Sequence, residues 1–493
     1  MTPEVYRRAW AAWQQAPETE RLRHLTRQIA LSFVDRCLYN DRYEGDYIDL
    51  LCEMATAGLG EERDRITAGA LFGIVIESLC DDFEEFQTTT YNRVMCQVVE
   101  YCCGLPAGAR LARELTAFGC GAGDRLLARI ERLRSAPPQP PQQPPERVVV
   151  LSRVTIGADV AVTSVIMERL RRAFPETELV LVGSEKLGEL FGGHAGLRLR
   201  PLHYARRGGL LQRFETWLEV VAAVREECAG GARVLVVDPD SRLSQLGVLP
   251  VAAGADYWFF NSRTAVGAQP RQRISELANA WLDDILGASA PALPAVHLPA
   301  AMRDRGQAVI DRLRAAGARH VVCVNLGVGG NPRKGLSEDF EHRLLQELLA
   351  APQTVVVLDR GFGDHEQARS ARLLQRLQAD GVATASGAID DVDRALGDHG
   401  VLGVGCSIGE IAGLIAAGDE FVGYDSACQH IAAAAGIPAC VIFAGSNNPR
   451  FVRRWHACGR ARTEVVHVDT LTAPQRFDEE DIITRIIHAR QTS

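Results

Sequence analysis

Lysine is almost missing from this chain. Of 54 basic side chains only two are lysines, Lys186 and Lys334, and arginine supplies the cation everywhere else. A lysine kept against that bias marks a place for a compact point charge rather than a planar guanidinium fork. Lys334, inside a glycine-rich loop, is such a place; Lys186 falls on a helix surface. Long apolar runs are missing too: no stretch of about 18 apolar residues occurs, which excludes a membrane-spanning helix. The opening Met1-Thr2-Pro3-Glu4-Val5-Tyr6-Arg7-Arg8 lacks the apolar core of a secretion signal. A broad positive surface is absent, since the formal net charge is −8, and nucleic acid is therefore not an expected partner. The thirteen cysteines include no C-x-x-C pair. Scattered and odd in number, they do not read as a disulfide framework, and the spacing of Cys96, Cys102, Cys103 and Cys120 fits no standard zinc site. The pattern is that of reduced thiols in a cytoplasmic protein, with peripheral attachment to an inner membrane still compatible.

Three segments follow one another. Residues 1–135 show apolar positions recurring at three and four, as in Arg21–Cys37 and Ile66–Cys80, and predict an all-α domain whose role is unreadable beyond docking or oligomerisation. Within it, Asp81-Asp82-Phe83-Glu84-Glu85 reads as a solvated acidic turn. Residues 136–146 form a linker. Its six prolines between Ala136 and Pro145 favour extended polyproline, a semi-rigid spacer of roughly 30 Å. Residues 147–296 and 297–493 then each alternate short apolar strands with helices. The strands fit Val148–Leu151, Leu179–Val182, Val234–Val237 and Tyr257–Phe260, then His320–Val324, Thr354–Leu358, Val401–Val404, Glu420–Val422, Ala439–Phe443 and Val465–Val468. Short buried strands separated by helices predict two doubly wound α/β domains facing a cleft.

The chain is organised around Glu420 to Pro438. A buried strand runs into the turn Tyr424-Asp425-Ser426, and a helix of strong formers follows, ended by Gly436 and Pro438. Ser426 or Asp425 suits the N-cap, and the helix start offers free N–H groups and a positive dipole end for a phosphate. His430 lies close enough to face the same ligand. Other loops add chemistry. Asp159 follows the first strand of the middle domain, as a helix cap or a general base. Gly329, Gly330 and Lys334 lie in Asn325–Gly335, a phosphate-tolerant loop that is neither Walker A nor G-x-G-x-x-G. Gly403–Glu410 imitates a dinucleotide fingerprint without its acidic partner, so a nicotinamide site is rejected. Phe443–Arg450 is a polar loop beside the central motif. Asp238-Pro239-Asp240 reads as a turn.

In this order the loops resemble those of glycosyltransferase family 9, the bacterial ADP-heptose:lipopolysaccharide heptosyltransferases. The likeness runs through Gly157-Ala158-Asp159-Val160-Ala161-Val162-Thr163, Arg171-Arg172-Ala173-Phe174-Pro175, and most specifically Ser407 through Pro449, within residues 147–493. It implies a GT-B architecture and an inverting, metal-independent transfer of a sugar from a nucleotide-diphosphate donor to a hydroxyl on a glycan, lipid or protein acceptor, with no cofactor. Under that resemblance Asp159 is the base and Lys334 with Gly329, Gly330, Ser426 and Ala427 holds the departing diphosphate. Asp425 grips sugar hydroxyls, His430 supports either, and Glu410 reaches toward the ribose. The chain departs from the pattern where Ala158 is inserted before the aspartate. Tyr424 and Ala427 flank the Asp-Ser turn in place of a small residue and a glycine, Gly335-Leu336 follows Lys334, and Ala444-Gly445-Ser446 replaces a Gly-Pro-Thr. These departures imply a different donor or acceptor, or a weakened site that serves as a nucleotide-sugar-binding module in assembly or regulation.

Overall fold

A computed structural model describes the chain apart from residues 81, 122, 136–137, 205–207, 264–271, 330, 392–395, 473–477 and 492–493. The middle domain carries β1 (Arg147–Leu151), β2 (Glu178–Gly183), β3 (Leu197–Pro201), β4 (Val234–Asp238) and β5 (Tyr257–Phe259). They form one parallel sheet in the order β3-β2-β1-β4-β5. The last domain carries β6 (His320–Asn325), β7 (Thr354–Asp359), β8 (Thr384–Ala388), β9 (Gly400–Gly405), β10 (Glu420–Tyr424), β11 (Ala439–Phe443) and β12 (Thr463–His467). Their order is β12-β11-β10-β6-β7-β9-β8, again parallel.

The central strands are valine-rich and buried almost from end to end because helices cover both faces of each sheet. In such sheets ligands lie beyond the carboxyl ends, where the strand order reverses. That point is β1/β4 in the first sheet and β6/β10 in the second, so the loops after β1, β6 and β10 all open onto one crevice.

The sequence reading missed two edge strands. In β3, Leu197-Arg-Leu-Arg-Pro alternates with its arginines half-buried or exposed. In β8, Thr384-Ala-Ser-Gly-Ala has almost no strand-forming side chains and is placed by pairing with β9.

The described residues of 1–135 are helical, as expected. They do not stand apart on a spacer. One apolar core joins Leu111, Leu115, Leu126 and Ile130 to Trp217, Val221, Leu249 and Tyr257 of the middle domain. Arg129 donates to the Gly247 carbonyl at 2.8 Å and Glu77 pairs with Arg242 at 3.0 Å. The described part of the proline-rich segment, residues 138–146, lies along the middle domain, where the Gln139 and Pro145 carbonyls accept from Trp258 Nε1 and Thr177 Oγ1. Extended proline backbone has carbonyls with no internal partner, so it adheres to a surface that offers donors.

Candidate functional site

The turn after β10 has the predicted geometry. Ser426 caps the helix Ala427–Ala435, its Oγ accepting from Cys428 N at 3.3 Å and donating to Asn325 Oδ1 at 3.2 Å. Asn325 ends β6, so one side chain links the two strands at the switch point. Asp425 is nearly buried. Lys334 Nζ reaches its Oδ2 at 2.5 Å, and Gln429 Nε2 donates to its Oδ1 at 2.5 Å. Lys334 therefore comes to the N-terminal end of the Ala427–Ala435 helix across 91 residues of sequence. Gly445, with φ 79°, makes room: a Cβ there would lie 2.8 Å from the Arg333 carbonyl oxygen, so a glycine lets the Lys334 loop pass.

Gly329 has φ 59°; Gly330 lies outside the described residues. The adjoining amide of Val328 donates to Glu366 Oε1 at 3.1 Å, and Phe362 N donates to Oε2 at 2.9 Å. A carboxylate thus already sits on part of the glycine loop.

Facing this edge is the loop after β1. A Cβ at Gly157 would lie 3.1 Å from His430 Cδ2 and 3.2 Å from Ala427 Cα, so glycine is what lets the two domains touch here. His430 is buried, and burial pushes its pKa down to about 4. It is therefore neutral at ordinary pH and can offer a hydrogen bond but no charge.

Asp159 is placed otherwise than a cleft-facing base. The helix begins at Ile156, behind the N-cap Thr155, and Asp159–Thr163 form a π-helical turn. Such a bulge is what one extra residue produces in an α-helix, and Ala158 is that residue in the resemblance. Asp159 is 0% exposed. Its Oδ1 accepts from Arg153 N at 2.7 Å and Thr163 Oγ1 at 2.8 Å, and its Oδ2 from Ser152 Oγ at 2.7 Å. Burial raises its pKa to about 6 against those donors. The cap reading is altered as well: the side chain reaches back to the loop after β1 rather than capping a helix start. Val154 in that loop has φ 73°, a strained conformation for a β-branched residue.

Glu410 is held in a capping box with Ser407, and its other oxygen pairs with Arg305 at 2.7 Å, so both oxygens already have partners. Tyr424 does not line the crevice either. It is 0% exposed, accepts from Leu336 N at 3.0 Å and donates to Glu341 at 2.9 Å. Asp238 and Asp240 are buried among Ser241, Tyr257, Ser262 and Arg263, which bears out the turn reading.

The acidic turn of the helical domain is the largest surprise. Phe83 is buried near Trp455, ring centroids 6.3 Å apart. Trp455 in turn stands 6.0 Å from the His430 ring and under the Arg153 guanidinium at 5.9 Å. Asn448 donates to Asp82 Oδ1 at 3.0 Å, and Arg450 meets the Phe83 carbonyl and the Glu84 carboxylate, both at 2.6 Å. Phe83 takes φ 56° to do this, a left-handed conformation costing about 1–2 kcal/mol, offset by burial of its ring. A lone aromatic between carboxylates was the only signal in the sequence.

No family model matches the chain, and no curated protein matches it. Solved structures do. The glycosyl transferase family 9 structure from Veillonella parvula is 14% identical, covers 72% of this chain and 98% of its own, and superposes with a TM-score of 0.51. The fold is GT-B. The E. coli heptosyltransferase WaaC with ADP is 15% identical over 70% of this chain and 99% of its own, at a TM-score of 0.47. E. coli ADP-heptose lps heptosyltransferase II is 13% identical over 70% and 100%, at 0.46.

Proposed function

We propose that this protein is a glycosyltransferase that takes its sugar from a nucleotide-diphosphate donor, with a heptose the first to test, and passes it with inversion to a hydroxyl acceptor. The observation that carries the reading is the convergence at the β6/β10 switch point of Lys334, Asp425 and the Ser426-capped helix start. Those groups supply a point charge and free amides where a departing diphosphate develops charge, and fixed donors there lower the barrier. Donor phosphates would draw Lys334 from Asp425, leaving that carboxylate for sugar hydroxyls. Lys334 and the helix dipole together neutralise the leaving group without a metal. Neutral His430 would contribute a hydrogen bond. A folded-state pKa of about 6 suits Asp159 to a base role near neutral pH, but only if the turn at 159–163 opens to the crevice. The acceptor, on a glycan, a lipid or a protein, would enter from the middle-domain side.

The buried Asp159 favours a second reading, a nucleotide-sugar-binding module with weakened turnover that acts in assembly or regulation. One experiment separates the two. The protein is screened by thermal shift against nucleotide-diphosphate sugars, ADP-heptose included, and each stabilising donor is then followed for release of free nucleoside diphosphate and for product mass. Release supports transfer. Stabilisation without release supports the module, and no stabilisation by any donor counts against both.

A further inference from the structure

A second cluster of chemistry-bearing side chains lies away from the crevice. Glu168 projects from the helix Ser164–Ala173, His194 follows the short helix Leu187–Phe191, and His297 lies in the connector that leads into the last domain. Their ligand-type atoms all fall within 4.8 Å of one another. His297 Nε2 is 2.6 Å and His194 Nε2 3.7 Å from the same Glu168 Oε1, and the two imidazole rings stand 4.5 Å apart at 76°.

The hydrogen bonds around the cluster decide its character. His194 Nδ1 lies 2.9 Å from the Ala195 carbonyl oxygen. A carbonyl only accepts, so Nδ1 carries the proton and the neutral ring has its lone pair on Nε2. That lone pair looks at a carboxylate oxygen, acceptor against acceptor. A cation shared between the two resolves the conflict. A backbone carbonyl orienting the far nitrogen of a histidine is also the usual outer partner of a metal-bound imidazole.

We propose that Glu168, His194 and His297 form a binding site for a divalent transition-metal ion of the zinc type. Two imidazoles and a carboxylate suit such an ion, and metal–ligand distances of about 2.0–2.2 Å in a tetrahedral site imply ligand atoms about 3.3 Å apart. The 3.7 Å pair is near that spacing, and the 2.6 Å pair needs only to open slightly. Glu168 and His297 are partly exposed, leaving a fourth position to water. The ion's role is structural. The connector is already pinned here by His297 N to the Leu190 carbonyl at 2.7 Å and by Gly193 N to the His297 carbonyl at 2.8 Å. The ion would lock two segments of the middle domain to the connector, at the point where the chain crosses to the other half of the cleft.

The test titrates chelator-treated full-length protein with Co²⁺. The expected result is about one equivalent bound per chain, with ligand-field absorption of a low-coordinate site, displacement by Zn²⁺ and a higher thermal midpoint. His194→Gln and His297→Gln should each weaken uptake by at least about tenfold, while the metal-free variants melt with the metal-free wild type. X-ray absorption on the loaded wild type needs no variant and should show imidazole and oxygen ligands. Sulfur ligation, no uptake by the wild type, or equal uptake by the double variant overturns the proposal and leaves an ordinary Glu168–His297 ion pair.

Discussion

Replacing Asp159 by asparagine isolates the electrostatics of one buried carboxylate. In the folded chain Asp159 titrates at about 6 rather than 3.8, because burial disfavours the charge more than its three donors favour it. The folded state therefore holds this proton more tightly than the unfolded state. The associated stability is fully present below about pH 4 and is lost as the pH rises through about 6. A shift of about 2 units at about 1.4 kcal/mol each amounts to about 3 kcal/mol. Asparagine cannot ionise, so Asp159→Asn lacks this slope. At pH 4 the variant should be less stable by about 1–2 kcal/mol, since its amide faces Ser152 Oγ where an acceptor stood. By pH 7 it should match or exceed the wild type. Asp238, also raised to about 6 by burial, is present in both proteins and cancels in the difference. Urea unfolding at a series of pH values, followed through Trp217, Trp258 and Trp281 of the middle domain, measures the gap. Parallel pH curves for the two proteins would show that Asp159 is charged in both states alike, and the reasoning from its burial would fail.

Deleting Ala158 should turn the π-helical turn into regular helix and rotate Asp159 by about 100°; on the transfer reading, release of nucleoside diphosphate should rise by about 10²–10⁴, and an unchanged rate would show that the bulge does not govern the base. Lys334→Ala should weaken donor binding and slow transfer by about 10²–10³, with Lys334→Arg an incomplete rescue; full donor stabilisation in Lys334→Ala, read by thermal shift, would remove Lys334 from the site. Phe83→Ala should leave the helical core intact and destabilise the chain by about 3–5 kcal/mol, with faster amide exchange around Trp455 as the diagnostic; exchange unchanged there would mean the turn is not an anchor. Removing residues 1–145 should expose Trp217, Val221 and Leu249, now buried under the helical domain, and yield an aggregating protein; a monodisperse truncated chain would show that the shared core is dispensable.

What could be read without coordinates follows from what each residue depends on. The valine runs of β4 and β7 and the capped helix after Ser426 are set by local pattern and were legible; that Lys334 comes to the same turn was implied only by the resemblance, and its contact with Asp425 is a finding of the structure. Edge strand β8 was not legible, because its pairing partner rather than its composition holds it. The inserted Ala158 was visible, but its effect was not: which way a helix absorbs one extra residue depends on what covers it, and here Asp159 turns toward Ser152 and Thr163. The resemblance set Tyr424 and Glu410 in ligand loops; their contacts with Glu341 and Arg305 depend on residues distant in sequence and could not be read locally. The acidic turn looked solvated because nothing local announces that Arg450 and Asn448, more than 360 residues on, receive it.

That turn makes the helical domain a participant in a thermodynamic cycle. It belongs by its core to one half of the cleft and by Phe83 to the other, so the halves cannot part at this point without breaking the contacts of Phe83. Any molecule that needs the open cleft works against the anchorage of the turn, and any partner that draws the helical domain away favours opening. Linkage makes the two effects equal in free energy: whatever factor such a partner applies to affinity in the crevice, a crevice ligand applies to the partner in return.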